Sequence, residues 1–182
     1  MMKGFEKTAN PWVGGLPVYE PGRPIEEVAR ELGFEDVEDI VKLASNENPL
    51  GPSPRAVEAM RAAAAQMHRY PDGDAYVLKQ ALAKRLGVTP GNLLIGNGSN
   101  ELIELLGHVF LNAESDIVMA DRAFVVYRLV ATLFNARTVA VPMRNHTHDL
   151  DAMLKAVTPR TRIVFVGNPN NPTGTMVDQT AI

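Results

Sequence analysis

From about residue 89 onward, short apolar runs and helix-length amphipathic stretches alternate with little between them. Strands are predicted at 93–95, 117–120, 138–141 and 163–166, with helices at 100–111, 124–134 and 150–157 between them. Apolar strands separated by helices are the signature of a largely parallel sheet covered on both faces, so the fold class is α/β. The first half is less regular. Pro24 suits the first turn of a helix over 25–32, which Gly33 ends. A short strand is predicted at 40–44 and an alanine-rich helix at 55–67. A further helix, 75–86, has Asp74 as its cap. Residues 1–24 are rich in Pro and Gly and read as an irregular N-terminal arm with little structure of its own.

Composition narrows the function classes. The 182 residues carry a net charge of -3, which leaves no basic footprint and argues against nucleic acid or an anionic membrane as partner. Absence of cysteine removes disulfides, thiolate catalysis and Cys-based metal sites together, and suits a cytoplasmic location. No apolar run reaches the roughly 18–20 residues of a membrane-spanning helix. The N-terminus, Met1-Met2-Lys3-Gly4-Phe5-Glu6, lacks the apolar core of a signal peptide.

Two loops carry candidate chemistry. Gly96-Asn97-Gly98-Ser99-Asn100-Glu101 joins a predicted strand to a helix. Its glycines allow close backbone approach, and a helix N-terminus presents free N–H groups and a positive dipole end, so the loop can cradle a phosphate. The plainer alternative is a tight turn in which Ser99 or Asn100 caps the helix. A dinucleotide fingerprint would need a small residue where Glu101 stands, although Asp121, 23 residues after Gly98, imitates the ribose-binding acid. The second loop, Asn168-Pro169-Asn170-Asn171-Pro172-Thr173-Gly174, follows the last strand. It sets polar side chains at a strand's C-terminal end, where open α/β sheets bind ligands. Asn- and Pro-rich turns are also ordinary punctuation. His146 and His148 lack a third partner for a metal, and a solvated polar loop with Asp149 capping the next helix is expected there. Lys42, Lys79, Lys84 and Lys155 sit in no evident catalytic context.

Taken together, these segments resemble the histidinol-phosphate aminotransferase family within the fold-type I pyridoxal-phosphate enzymes. The likeness runs from about Pro17 to Val177 and rests on four further stretches besides the two loops. They are Tyr19-Glu20-Pro21-Gly22-Arg23-Pro24, the run from Leu43 through Asn46-Glu47-Asn48-Pro49 to Pro54, Arg69-Tyr70-Pro71-Asp72-Gly73, and Ala123-Phe124-Val125-Val126-Tyr127. The resemblance implies pyridoxal 5'-phosphate as cofactor, with backbone groups of Ser99 and Asn100 on its phosphate. Phe124 would stack on its ring, Asn171 would bond its phenolic oxygen, and Tyr70 would reach the phosphate bound by the partner subunit of a homodimer. Tyr19 and Asn46 would lie near the substrate. The stacking residue in the family is frequently Tyr, so Phe124 keeps the ring and drops the hydroxyl.

By the same resemblance, residues 1–45 form the arm and part of a small domain, and 46–182 an incomplete cofactor-binding large domain. The reaction implied is amino transfer between histidinol phosphate and 2-oxoglutarate in histidine biosynthesis. The Schiff-base lysine, the Asp that pairs with the pyridine nitrogen and the substrate-gripping Arg residues are expected beyond residue 182. The chain is therefore expected to be an N-terminal fragment, without catalytic residues or transaminase activity of its own. Aromatic-amino-acid aminotransferases and threonine-phosphate decarboxylases share much of this half. A dinucleotide-dependent oxidoreductase and a non-catalytic remnant remain as readings of other classes.

Overall fold

Asp116–Ala120, the strand β1, is buried along its whole length and lies at the centre of a three-stranded parallel sheet. Its neighbours are β2 (Arg137–Val141) and β3 (Thr161–Phe165), in the order β2-β1-β3. In this computed structural model, residues 8–16, 18 and 22–181 are described. The chain divides into two compact units, residues 18–76 and the remainder, 1–17 with 77–182.

In the second of these units, strand order dictates where the helices go. The step from β1 to β2 goes one way, through α5 (Val125–Leu133). The step from β2 to β3 returns across β1, through α6 (Leu150–Lys155). Right-handed crossovers in opposite directions put the two helices on opposite faces. The core divides accordingly. Ile117 and Met119 pack with Val126, Val130 and Ala131 of α5 and with Ile103 of α4 (Gly98–Phe110). Val118 faces the other way, with Val141 and with Met153 of α6. Alternate residues of one strand thus supply two cores, each buried aliphatic side chain contributing about 1.5–3 kcal/mol.

At the N-terminal end of β1, the fully buried Asp116 receives two hydrogen bonds from Arg137, at 3.1 and 2.6 Å, and one from Arg160 at 3.4 Å. One carboxylate therefore fastens the starts of both outer strands. The Arg137 hydrogen bonds hold its pKa below the usual carboxylate value against the opposing effect of burial. The β1–β3 register shifts beside it, between Asp116 and Ile117. At the other end, Asp121 accepts the Met143 amide at 3.2 Å and clamps the loop after β2 to that after β1. This is a structural use for the acid that imitates a ribose ligand in the sequence.

Helices α4 and α5 approach closely because Gly107 has no side chain. A Cβ there would stand 2.4 Å from Phe134 and 2.8 Å from Val130. His108 meets the same Phe134 ring edge-to-face at 4.7 Å. Part of the Pro- and Gly-rich arm has regular structure that its composition does not suggest. Pro11–Gly15 forms a 3-10 turn, and the Trp12 indole N–H donates to the Leu133 carbonyl at the end of α5 at 3.1 Å.

In the unit of residues 18–76, α1 (Ile25–Leu32) ends at Gly33, whose φ of 76° is the left-handed cap expected of it. The alanine-rich helix α2 (Pro54–Ala63) is shorter than 55–67 because its last turn tightens to a 3-10 turn, Ala64–Gln66. Asp72, not Asp74, receives the first amide of α3 (Tyr76–Leu86), with Tyr76 N at 2.8 Å from its Oδ2. The Asp74 amide is bonded to the same carboxylate, at Oδ1 and 3.0 Å.

Residues 40–44 and 93–95 are not strands but extended segments, with Leu43 and Leu94 exposed. An apolar run becomes a strand only beside a ladder partner, and among the described residues neither run has one. No helix among the described residues is long and apolar enough to cross a membrane.

Two measurements follow. Asp116→Asn is expected to cost about 1.5–3 kcal/mol, the range for a hydrogen bond to a charged group. The larger cost of an orphaned buried charge does not apply, because the side chains of Arg137 and Arg160 are 61% and 53% exposed. Since the folded-state pKa is depressed, Asp116's contribution is present above its unfolded pKa, about 3.9. It is lost as pH falls below that value. Urea midpoints should therefore drop less between pH 6 and pH 3 in Asp116→Asn than in the native chain. Gly107→Ala gains about 1 kcal/mol of helix propensity but forces an overlap costing about 1–3 kcal/mol, so net destabilisation is expected in thermal unfolding. Adding Phe134→Leu should recover part of that loss; strict additivity of the two effects would contradict the packing account.

Candidate active site

The loops that leave the C-terminal ends of the three strands form one bonded rim. Asn170, after β3, donates from Nδ2 to the Arg122 carbonyl, after β1, at 3.1 Å. Thr175 donates to the His146 carbonyl, after β2, at 2.6 Å. His148 Nε2 lies 2.9 Å from the Gly167 carbonyl. With order β2-β1-β3, the crevice between β1 and β3 is the topological switch point at which such sheets bind ligands.

Phe124 lies in the loop after β1 and Asn171 in the loop after β3, the two loops that border this crevice. Phe124 is half-buried at the start of α5 and meets Tyr127 edge-to-face at 5.7 Å. Tyr127 in turn stacks on Phe165 of β3, with centroids 4.2 Å apart and planes 8° from parallel. Burial raises the Tyr127 pKa. The aromatic row therefore runs from β3 to Phe124, the residue that caps α5. Asn171 is exposed, whereas Asn170 beside it is 3% exposed and Asn168 is tied to Val177 by bonds of 3.0 and 3.1 Å. Asn168 and Asn171 are both exposed, and of the two Asn171 is the one whose side chain is not bonded to another described residue.

Ser99 and Asn100 are exposed in the first turn of the 13-residue α4. Among the described residues, no hydrogen bond from their amides is found, as expected where a helix starts. No side-chain cap hydrogen bond is made at this terminus, where α4 opens on Gly98, whose φ of 78° is left-handed and beside which open space stands where a Cβ would be. Glu101 bends back so that its Oε2 receives the Asn97 amide. One terminal donor is thereby occupied, and those of Ser99 and Asn100 remain.

Asn46 and Tyr70 belong to the other unit and are both exposed; Asn46 has a left-handed φ of 52°. Tyr19 lies outside the described residues. His148 departs from the solvated loop expected for it: it is buried, and its Nδ1 has no hydrogen-bond partner. Asp149 does cap α6, accepting the Ala152 amide at 3.1 Å. Among the described residues, no group of three or more His, Cys, Asp or Glu could hold a metal ion. Sequence reasoning missed Asn170, His148 and the Thr173–Thr175 pair. The motif names Asn170, but only burial separates it from Asn168 and Asn171.

The model of the family described as aminotransferase class I and II matches residues 38–182. The chain belongs to this family. Histidinol-phosphate aminotransferase of Moorella thermoacetica is 55% identical over 90% of this chain and 42% of its own length. The enzyme of the same name from Akkermansia muciniphila is 52% identical over 98% of this chain and 49% of its own length. The crystal structure of histidinol-phosphate aminotransferase from Sinorhizobium meliloti, in complex with pyridoxal-5'-phosphate, superposes with a TM-score of 0.78 at 29% identity. That match covers 90% of this chain and 43% of the other. The chain spans about half the length of the curated aminotransferases it matches.

Gly98→Ala tests the terminus of α4. Nothing lies within 4 Å of the added methyl, so its whole cost, about 1 kcal/mol or more, comes from the left-handed backbone. Chemical denaturation should show that loss; an unchanged midpoint would mean that the residue is not held at positive φ.

Proposed function

We propose that the protein is a pyridoxal-phosphate-dependent aminotransferase that exchanges an amino group between histidinol phosphate and 2-oxoglutarate, a cytoplasmic step of histidine biosynthesis. The observation that carries this reading is the rim bond from Asn170 to Arg122, which ties the loop that carries Asn171 to the loop that carries Phe124.

The residues present fit the cofactor. Exposed amides at the start of a full-length helix suit a phosphate dianion, and open space beside Gly98 leaves room for it. A half-buried ring held edge-on by Tyr127 offers a flat face to an aromatic heterocycle. An exposed Asn amide can donate to a phenolate. Pyridoxal phosphate, when bound, supplies the electron sink and the amino carrier for transamination. The chain's own part is to bind and orient: Ser99 and Asn100 through their amides on the phosphate, Phe124 against the ring, and Asn171 on the phenolic oxygen.

In this reading residues 46–182 belong to the cofactor-binding large domain, and 1–45 to the arm and small domain. The working unit is a homodimer in which Tyr70 reaches the partner's cofactor phosphate, with Tyr19 and Asn46 at the substrate. The substrate assignment is supported by the names of relatives at about half identity. The dinucleotide reading loses support because Asp121 is bonded to the Met143 amide.

Titration with 4'-deoxypyridoxine 5'-phosphate, which lacks the reactive aldehyde, tests the cofactor site. Saturable binding competed by pyridoxal phosphate is expected, whereas binding of NAD in its place would overturn the reading. Ser99→Pro removes one proposed phosphate donor at a position where the helix tolerates proline. It should weaken the analogue about tenfold, as loss of a charge-assisted hydrogen bond does. Glutamate formation from histidinol phosphate and 2-oxoglutarate by the whole enzyme tests the substrate. The 182-residue polypeptide alone is expected to bind without turnover, because none of its lysines lies in a motif that matches the family's reactive lysine.

A further inference from the structure

We infer that Asn170 is a positioning residue: its side-chain amide sets the separation between Asn171 and Phe124, and it acts on ligand binding only through that geometry. The inference rests on the proposal that Asn171 and Phe124 hold the cofactor.

Both amide hydrogens of Asn170 are committed, one to the Arg122 carbonyl at 3.1 Å and one to the Thr173 hydroxyl at 2.8 Å. Its backbone is committed as well, with N donating to the Thr175 carbonyl at 2.9 Å and O accepting from Gly174 at 2.8 Å. The turn 170–175 is therefore folded around this one residue. Hydrogen-bond directions beyond it follow by elimination. Thr175 gives its hydroxyl proton to the His146 carbonyl, so across the 2.8 Å contact between the two threonines Thr173 must be the donor. A directed chain then runs from Asn170 through Thr173 and Thr175 to His146, across the loops after β3 and β2.

The Asn170–Arg122 bond adds the loop after β1. Phe124 lies two residues beyond Arg122, and Asn171 follows Asn170 directly. Asn170 Oδ1, by contrast, is buried without a partner. A buried orphan acceptor costs about 1–3 kcal/mol. Aspartate would fill the same volume but would turn an acceptor toward the Arg122 carbonyl. It is the donating half of the amide that this position uses.

A double-mutant cycle with 4'-deoxypyridoxine 5'-phosphate separates positioning from general support of the fold. Asn170→Ala is expected to raise Kd about tenfold in the native background. In an Asn171→Ala background it should raise Kd less than about twofold, because the group being positioned is gone. Equal effects in both backgrounds, or no effect in the native one, would overturn the inference while leaving the cofactor site intact. Absence of analogue binding to the native protein would instead overturn the proposed function. If Asn170→Ala fails to fold, Thr173→Val takes its place in the same cycle. It keeps the Arg122 bond, and a rise of about threefold that disappears in the Asn171→Ala background is expected.

Discussion

A central strand with no exposed residue is the constraint on which the rest of this structure depends. β1 has a helix layer on either face and a parallel strand at either edge, so each of its five residues is buried. Such a strand cannot satisfy its polar ends with water. Its first residue is a carboxylate answered by two arginines, and the residue after its last, Asp121, answers the backbone of the neighbouring loop. Each acid ties β1 to an adjacent strand or loop. The lower end thereby gains register, and the upper end gains a fixed starting point for the loops that carry the candidate chemistry.

The two ends are used differently. Below, charge is concentrated on Asp116 and the arginines are half in water, an arrangement that stabilises without offering a ligand anything. Above, the ties run between loops: Asn170 to the Arg122 carbonyl, Thr175 to the His146 carbonyl, and the Met143 amide to the Asp121 carboxylate. Charged groups stand among these ties, Asp121 itself and the Arg144–Asp149 pair at 2.9 Å. At the start of α4, Glu101 takes the Asn97 amide, and the Ser99 and Asn100 amides have no hydrogen bond among the described residues.

Much of this architecture is legible in the residues and their spacing. Helix α1 is found at its predicted bounds because Pro24 and Gly33 are local signals that need no partner. The strands at 116–120, 137–141 and 161–165 lie within two residues of their apolar runs. The strands expected at 40–44 and 93–95 did not form, since pairing is a property of two segments and an apolar run describes only one. Asp72 in place of Asp74 at the start of α3 is a smaller case: both are aspartates, and residue type alone does not say which one accepts the Tyr76 amide.

By itself, the amino-acid sequence determined the α/β class, the two glycine- and asparagine-bearing loops and the family. Each of these is written in local residue types and their spacing. The tertiary structure alone decided which asparagine of Asn168, Asn170 and Asn171 is an anchor and which is presented. It also decided that His148 is buried rather than solvated, and that Asp121 serves the backbone. Those distinctions depend on what lies opposite a side chain, and the residues opposite are 48 positions away for Asn170, 19 for His148 and 22 for Asp121. Local pattern carries no record of such partners. They are set when right-handed crossovers bring the ends of three parallel strands to one edge.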